Sequence, residues 1–170
     1  VDGDAELSRL DSFIRRLEAQ RACLDFAVEA VSNQDGTVLE LGLGNGRTYD
    51  HLRERLPGRE IYVFEREVRA HPDCIPDDRH LVLGSIEDML PKFAESRPGE
   101  AVLVHSDIGT GDALRNQKLA AWLAEALPPL LCPGAWVAAD QALPGIGFTP
   151  QPLPTGIAAD RYFLYRYGAT

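Results

Sequence analysis

Three glycines on alternate positions, Gly42, Gly44 and Gly46, follow the apolar run Val38-Leu39-Glu40-Leu41 and precede an amphipathic stretch that starts near Arg47. A strand, a glycine turn and a helix in that order make a binding cradle. Glycine takes positive φ and, lacking a Cβ, lets a ligand approach the backbone. The helix that follows offers free N–H groups and the positive end of its dipole. Glu65 ends the next apolar run, Ile61-Tyr62-Val63-Phe64. A carboxylate there suits the vicinal diol of a ribose, from which it can accept two hydrogen bonds. His105 and Asp107 stand two residues apart at the end of a later run, Ala101-Val102-Leu103-Val104. Both can therefore face one side, and either type can serve as a general base.

The elements needed to position these residues are legible as alternating strands and helices. Residues from Glu6 to Val31 carry Leu10, Ile14, Leu17, Leu24 and Val31 at helical intervals, with Arg15, Arg16 and Glu18 off that stripe. This segment reads as one long helix or as two, the second starting at Asp11-Ser12. Strand one runs over Val38–Leu41 and strand two over Ile61–Phe64, with a crossover helix from Thr48 to Pro57-Gly58 between them. A short helix is possible over Glu67–His71. Strand three is Leu81–Leu83, and a helix follows it to Ser96. Strand four is Ala101–His105, and a helix from Asp112 to Leu127 follows, ended by Pro128-Pro129. Strand five is Ala135–Ala139, closed by Asp140-Gln141. Prolines 144, 150, 152 and 154 rule out a regular helix beyond it. Residues 148–153 suit an edge strand, where proline is tolerated, and Arg161–Tyr167 forms a last strand.

Composition bounds the partners. The chain has 170 residues, enough for one domain with a full core, divided into an N-terminal helical segment (1–34) and a sheet core (35–170). Its net charge of −9 repels phosphate backbones, so a nucleic-acid substrate is disfavoured and a small-molecule substrate preferred. No apolar run is long enough to span a membrane, and the start carries no basic-then-apolar signal pattern. Three widely spaced cysteines, Cys23, Cys74 and Cys132, fit a reducing cytoplasm better than a disulfide framework. His71, Cys74 and His80 do not match the spacing of a common zinc module.

The stretch Glu40-Leu41-Gly42-Leu43-Gly44-Asn45-Gly46 resembles the first motif of the class I S-adenosylmethionine-dependent methyltransferases, an acidic residue followed by G-x-G-x-G. The dinucleotide fingerprint is spaced differently, as G-x-G-x-x-G. The resemblance extends over about residues 37–167. It implies a Rossmann-like α/β three-layer sandwich with a mostly parallel seven-stranded sheet in the order 3-2-1-4-5-7-6. It implies S-adenosyl-L-methionine as cofactor, held by Glu40, Gly42, Leu43, Gly44, Asn45, Gly46, Glu65, Arg66, Ser85, Ile86 and Asp107. In that reading Glu40 helps hold the amino-acid end through the loop, Glu65 takes the ribose, and Ser85-Ile86 meet the adenine. Ser85 stands where the family usually has an acid. Asp107 borders the donor methyl, and Asp107 with His105 are the catalytic candidates.

Asp107 with Asp140-Gln141 also resembles the metal ligands of the catechol-type O-methyltransferases, whose oxygens suit Mg²⁺ or Ca²⁺. Gln141 replaces their Asn, and the favoured reading is two cleft carboxylates with no metal. The minimal C-terminal half leaves the acceptor wall to the N-terminal helix, to the loop from Ser106 to Asp112, or to a second subunit of a homo-oligomer. Two other classes fit the same loop. One is a cofactor- or nucleotide-binding module without transferase activity. The other is an NAD-binding oxidoreductase, which the glycine spacing counts against.

Overall fold

A computed structural model gives the architecture, and it describes residues 7–168. The elements are α1 (Arg9–Val31), β1 (Thr37–Leu41), α2 (Arg47–Arg55), β2 (Ile61–Glu65), β3 (Leu81–Leu83), α3 (Ile86–Ser96), β4 (Ala101–Ser106), α4 (Ala113–Ala126), β5 (Leu131–Ala139), β6 (Phe148–Pro150) and β7 (Phe163–Tyr167). They form one seven-stranded sheet in the order β3-β2-β1-β4-β5-β7-β6. The β1–β2, β1–β4, β2–β3 and β4–β5 pairs are parallel, and β7 runs antiparallel to both β5 and β6. The expected strand order is the one observed.

Two apolar layers sandwich the sheet. On one face, Cys23, Leu24, Ala27 and Val31 of α1 and Leu52 of α2 pack on Val38, Val63, Leu103 and Ala138. On the other, Leu90 of α3 and Ala120 and Leu123 of α4 pack on Leu39, Leu41, Phe64 and Val104. Each fully buried leucine or valine contributes about 1.5–3 kcal/mol. Central parallel strands covered on both faces are normally continuous apolar runs. β1 and β4 break that rule at Glu40 and His105, and the register sets these two residues opposite one another.

Several local expectations are corrected. α1 is one helix, capped by Ser8, whose hydroxyl accepts from the Asp11 amide at 3.0 Å. Asp11-Ser12 therefore lies inside its first turn, and Glu6 falls outside the described residues. Only the second half of the predicted stripe is core: Leu24 and Val31 are buried, whereas Leu10 and Ile14 are exposed. No helix forms over Glu67–His71. Pro72 disfavours a helical residue before it, and His71 instead caps a short 3-10 turn at Pro72–Cys74. β5 begins at Leu131, four residues earlier than expected. A register irregularity between Ala101 and Leu103 absorbs Pro133 and Gly134. β6 stops at Pro150, three residues short of the expected end, although the Gln151 amide just beyond it still donates to the Leu164 carbonyl of β7 at 2.8 Å.

Candidate active site at the carboxyl ends of the strands

The glycine loop is wrapped around Glu65. One carboxylate oxygen accepts from the amides of Leu43 (2.9 Å) and Gly44 (3.1 Å), and the other from those of Arg66 (2.7 Å) and Glu67 (3.3 Å). Burial alone would raise the Glu65 pKa, yet these backbone donors hold it below the ordinary value. The carboxylate thus orders the loop from the end of the neighbouring strand. Gly46 caps α2 at φ +84°, and a Cβ there would stand 2.5 Å from Cys74 Cβ and 2.8 Å from its carbonyl oxygen. Only glycine fits that turn without strain.

Two cavities flank the loop and meet at Gly42. The first, about 370 Å³, has apolar walls at Phe64, Ile86 and Ile108 and polar groups at Glu65, Arg66 and Glu87. The second, about 200 Å³, lies between Gly44-Asn45 and the outer half of α1, with Asp107 at its edge. Ser85 caps α3 instead of facing the first cavity. Its hydroxyl donates to Asp88 Oδ2 at 2.7 Å and accepts from the Asp88 amide at 3.2 Å.

Asp107 is held from α1. Arg16 Nη2 lies 2.8 and 2.9 Å from its two oxygens, and Gln20 Nε2 donates to Oδ2 at 2.7 Å. Gln20 also approaches the Tyr162 hydroxyl at 3.4 Å, and that hydroxyl bonds His105 Nε2. His105 Nδ1 lies 2.6 Å from Glu40 Oε2, and the Thr48 hydroxyl donates to the other Glu40 oxygen. One chain of bonds therefore links the start of α2 to Asp107. Glu40 and His105 are both 0% exposed. Burial alone would push the His105 pKa down, but the Glu40 carboxylate overrides it and holds the imidazole above its ordinary value. Burial and the charge of Asp107 push the Tyr162 phenol well up, so it remains a neutral hydroxyl.

Asp140 stands beside Asp107, because β4 and β5 end in register and the Asp140 amide donates to the Ser106 carbonyl at 3.0 Å. A third cavity, about 390 Å³, opens here between Arg16, the Gly109-Thr110-Gly111 loop, Asp140-Gln141 and Asp160-Arg161. The Asp107, Asp140 and Gln141 set does not fit a cation. The Arg16 guanidinium already sits on Asp107, and Gln141 turns its amide nitrogen, not its oxygen, toward Asp140 at 3.3 Å. Among the described residues no group of three His, Cys, Asp or Glu side chains could hold a metal ion. His80 bonds Asp77 and Glu60, and His71 accepts from the Asp73 amide.

The structure thus brings the glycine loop and Glu65 together, aligns Ile86 with the first cavity, and gathers Asp107 with Asp140. It sets Glu40 and His105 in the interior and leaves Ser85 as a cap. Sequence reasoning missed Arg16, Gln20, Thr48 and Tyr162. A signal for two of them existed: Arg16 and Gln20 are spaced i, i+4 on α1, so they share one face and could grip one carboxylate.

A family model described as S-adenosyl-L-methionine methyltransferase matches residues 7–167. No curated protein matches the chain. A solved S-adenosyl-L-methionine methyltransferase from Silicibacter pomeroyi is 44% identical, with 96% of this chain and 100% of that one covered and a TM-score of 0.91. Two more distant structures share the fold. The 1,6-didemethyltoxoflavin-N1-methyltransferase of Burkholderia thailandensis, with bound S-adenosylhomocysteine, is 13% identical over 99% of this chain and 94% of that one (TM-score 0.54). The fibrillarin of Aeropyrum pernix, with bound S-adenosyl-L-methionine, is 15% identical over 88% and 75% (TM-score 0.53). With its seven-stranded sheet and its acid-led glycine loop, the chain belongs to the S-adenosyl-L-methionine methyltransferase family.

Proposed function

We propose that the chain works as one domain that transfers a methyl group from S-adenosyl-L-methionine to a small-molecule acceptor. One observation carries this reading: the two cavities that meet at Gly42 match the two halves of that cofactor in chemistry. The apolar walls at Ile86 and Ile108 suit an adenine ring. Glu65 suits the ribose diol, whose hydroxyls would take over the longer bonds now made by the Gly44 and Glu67 amides. The amino-acid end would lie along Gly42, Leu43, Gly44 and Asn45 toward Asp107 and Arg16. When bound, the cofactor supplies an activated methyl, so the protein has mainly to align the reactants and exclude water.

The roles of the acids differ with their partners. Asp107 would border the donor methyl and orient the acceptor. Its three bonds to Arg16 and Gln20 commit it to that task. His105 has both ring nitrogens engaged and no exposed surface, so it would act through Tyr162 and Gln20 as a positioning residue. Glu40 would steady the loop through Thr48 at the start of α2. The net charge of −9 supports an acceptor other than nucleic acid, and the 1,6-didemethyltoxoflavin bound in the Burkholderia structure of the same fold is consistent with a small one. Three free cysteines support a cytoplasmic setting. No helix among the described residues is long and apolar enough to cross a membrane. The outer half of α1 and the 109–111 loop line the acceptor side, so a second subunit is not required to build that wall.

The test is transfer of a labelled methyl from the cofactor across a panel of phenols, amines, thiols and carboxylates. Transfer to at least one class supports an enzyme. Tight cofactor binding with no transfer to any class would favour the binding-module reading.

A further inference from the structure

Asp140 carries an anomaly. Among the described residues, its Oδ1 is the one buried side-chain oxygen without a hydrogen-bond partner. The other oxygen accepts from the Gly109 amide at 2.9 Å and from Gln141. A buried carboxylate oxygen left unpaired is costly and calls for a reason. The neighbouring Asp107 shows the contrast: both of its oxygens are committed to Arg16, and one also to Gln20. The third cavity, which Asp140 lines, meets the second, donor-side cavity at Arg16. The Gly109 backbone lies close over Asp140. A Cβ on Gly109 would collide with Asp140 Oδ2 and stand 2.6 Å from Gln141 Nε2. The glycines on either side of Thr110 leave this cover free to adjust as an acceptor enters.

Resting on the methyl-transfer reading above, we propose that Asp140 is the proton acceptor of the reaction, serving an O–H or N–H acceptor bound in the cavity between Arg16, the 109–111 loop and Arg161. The acceptor atom forms its bond to the methyl carbon, and the carbon–sulfur bond breaks with its electron pair going to sulfur, which leaves as a neutral thioether. The acceptor's proton goes to Asp140 Oδ1, giving a neutral carboxyl that returns the proton to solvent once product departs. The division of labour is chemical. Asp107 must break ion-pair contacts to take a proton, whereas Asp140 Oδ1 has no hydrogen bond to give up. Burial and the adjacent Asp107 charge raise its pKa, while Gln141, Gly109 and Arg16 act in the opposite sense. The other charged or titratable groups around it are His105 on β4, Tyr162 on the approach to β7, and Asp160 and Arg161 across the cavity.

Two independent readouts test this. In the cofactor-free protein labelled with ¹³C-aspartate, the Asp140 carboxyl, assigned by its absence in Asp140→Asn, should titrate above the ordinary aspartate range. The native state then holds that proton more tightly than the unfolded chain. Above the native pKa the ionised group costs stability, so Asp140→Asn should melt higher than wild type at pH 8, and the gain should vanish as the pH falls below the unfolded value. With labelled cofactor and phenols graded in acidity, Asp140→Asn should lose about 100-fold or more in kcat/KM for phenols protonated at the assay pH. It should lose little for nitrophenols already ionised, and should bind cofactor as wild type does. Titration in the ordinary range, a lower melting temperature at pH 8, or an equal loss across all the phenols would overturn the assignment. If no phenol is methylated, the titration and the melting comparison decide it. Failure of the wild-type protein to bind the cofactor would instead strike the reading beneath.

Discussion

Replacing His105 by leucine tests the buried chain of bonds directly. The substitution strips Glu40, which has no exposed surface, of its ion-pair partner and leaves it only the Thr48 hydroxyl. Removing one member of a buried pair costs about 3–5 kcal/mol, because a charge remains without compensation. The Tyr162 hydroxyl loses its main partner as well, which adds about 1 kcal/mol. We expect His105→Leu to destabilise by about 4–6 kcal/mol. Glu40→Leu should cost less, about 2–3 kcal/mol, since a histidine can shed its proton where a carboxylate must acquire one. The double variant should cost only about 2 kcal/mol, because replacing a whole buried pair by apolar side chains is often nearly neutral. Urea unfolding at pH 7, with slopes compared to confirm two-state behaviour, measures all three. Additivity of the two single changes within about 0.5 kcal/mol would refute the coupling and with it the chain.

The pH dependence follows with a fixed sign. Glu40 holds the His105 pKa above its ordinary value, so the native state keeps a proton that the unfolded chain releases. That contribution is complete below about pH 6.5 and is lost as the pH rises through the higher native value. His105→Leu should remove this alkaline loss from the stability curve, and an unchanged slope would contradict it. At the cofactor site, Glu65→Ala should weaken S-adenosyl-L-methionine binding about 10–100-fold, since charge-assisted bonds to the ribose are each worth about 1.5–3 kcal/mol. Calorimetric titration reads this, and an affinity within twofold of wild type would remove Glu65 from the site. Gly46→Ala should destabilise by about 2–4 kcal/mol through its positive φ and the collision with Cys74, seen as a lower urea midpoint.

The parts of the fold that were legible rest on local pattern. The glycine loop, the acid at the end of β2, the strand alternation and the prolines after β5 each announce themselves within ten residues. The strand order came from resemblance to a family, not from periodicity. What stayed hidden depends on partners far apart in the chain. Arg16 and Gln20 reach Asp107 across 91 and 87 residues, and Tyr162 reaches His105 across 57. The i, i+4 spacing of Arg16 and Gln20 marks a shared face, but no local pattern names the distant partner in such pairings. The outer half of α1 misled for a related reason. Leu10 and Ile14 continue a helical stripe, but both stand exposed, and Ile14 with Leu17 lines an open pocket between α1 and the start of α2 instead of the core. Ser85 has a residue type equally suited to a ligand and to a helix cap, and only the bond to Asp88 distinguishes the two.

The central claim is that the paired cavities at Gly42 hold a methyl donor. Calorimetric titration of the purified chain with S-adenosyl-L-methionine, S-adenosylhomocysteine and NAD addresses it most directly. The account predicts one site per chain for each of the first two, at micromolar affinity or tighter, and no binding of NAD. Preference for NAD, or binding of none of the three, would contradict it.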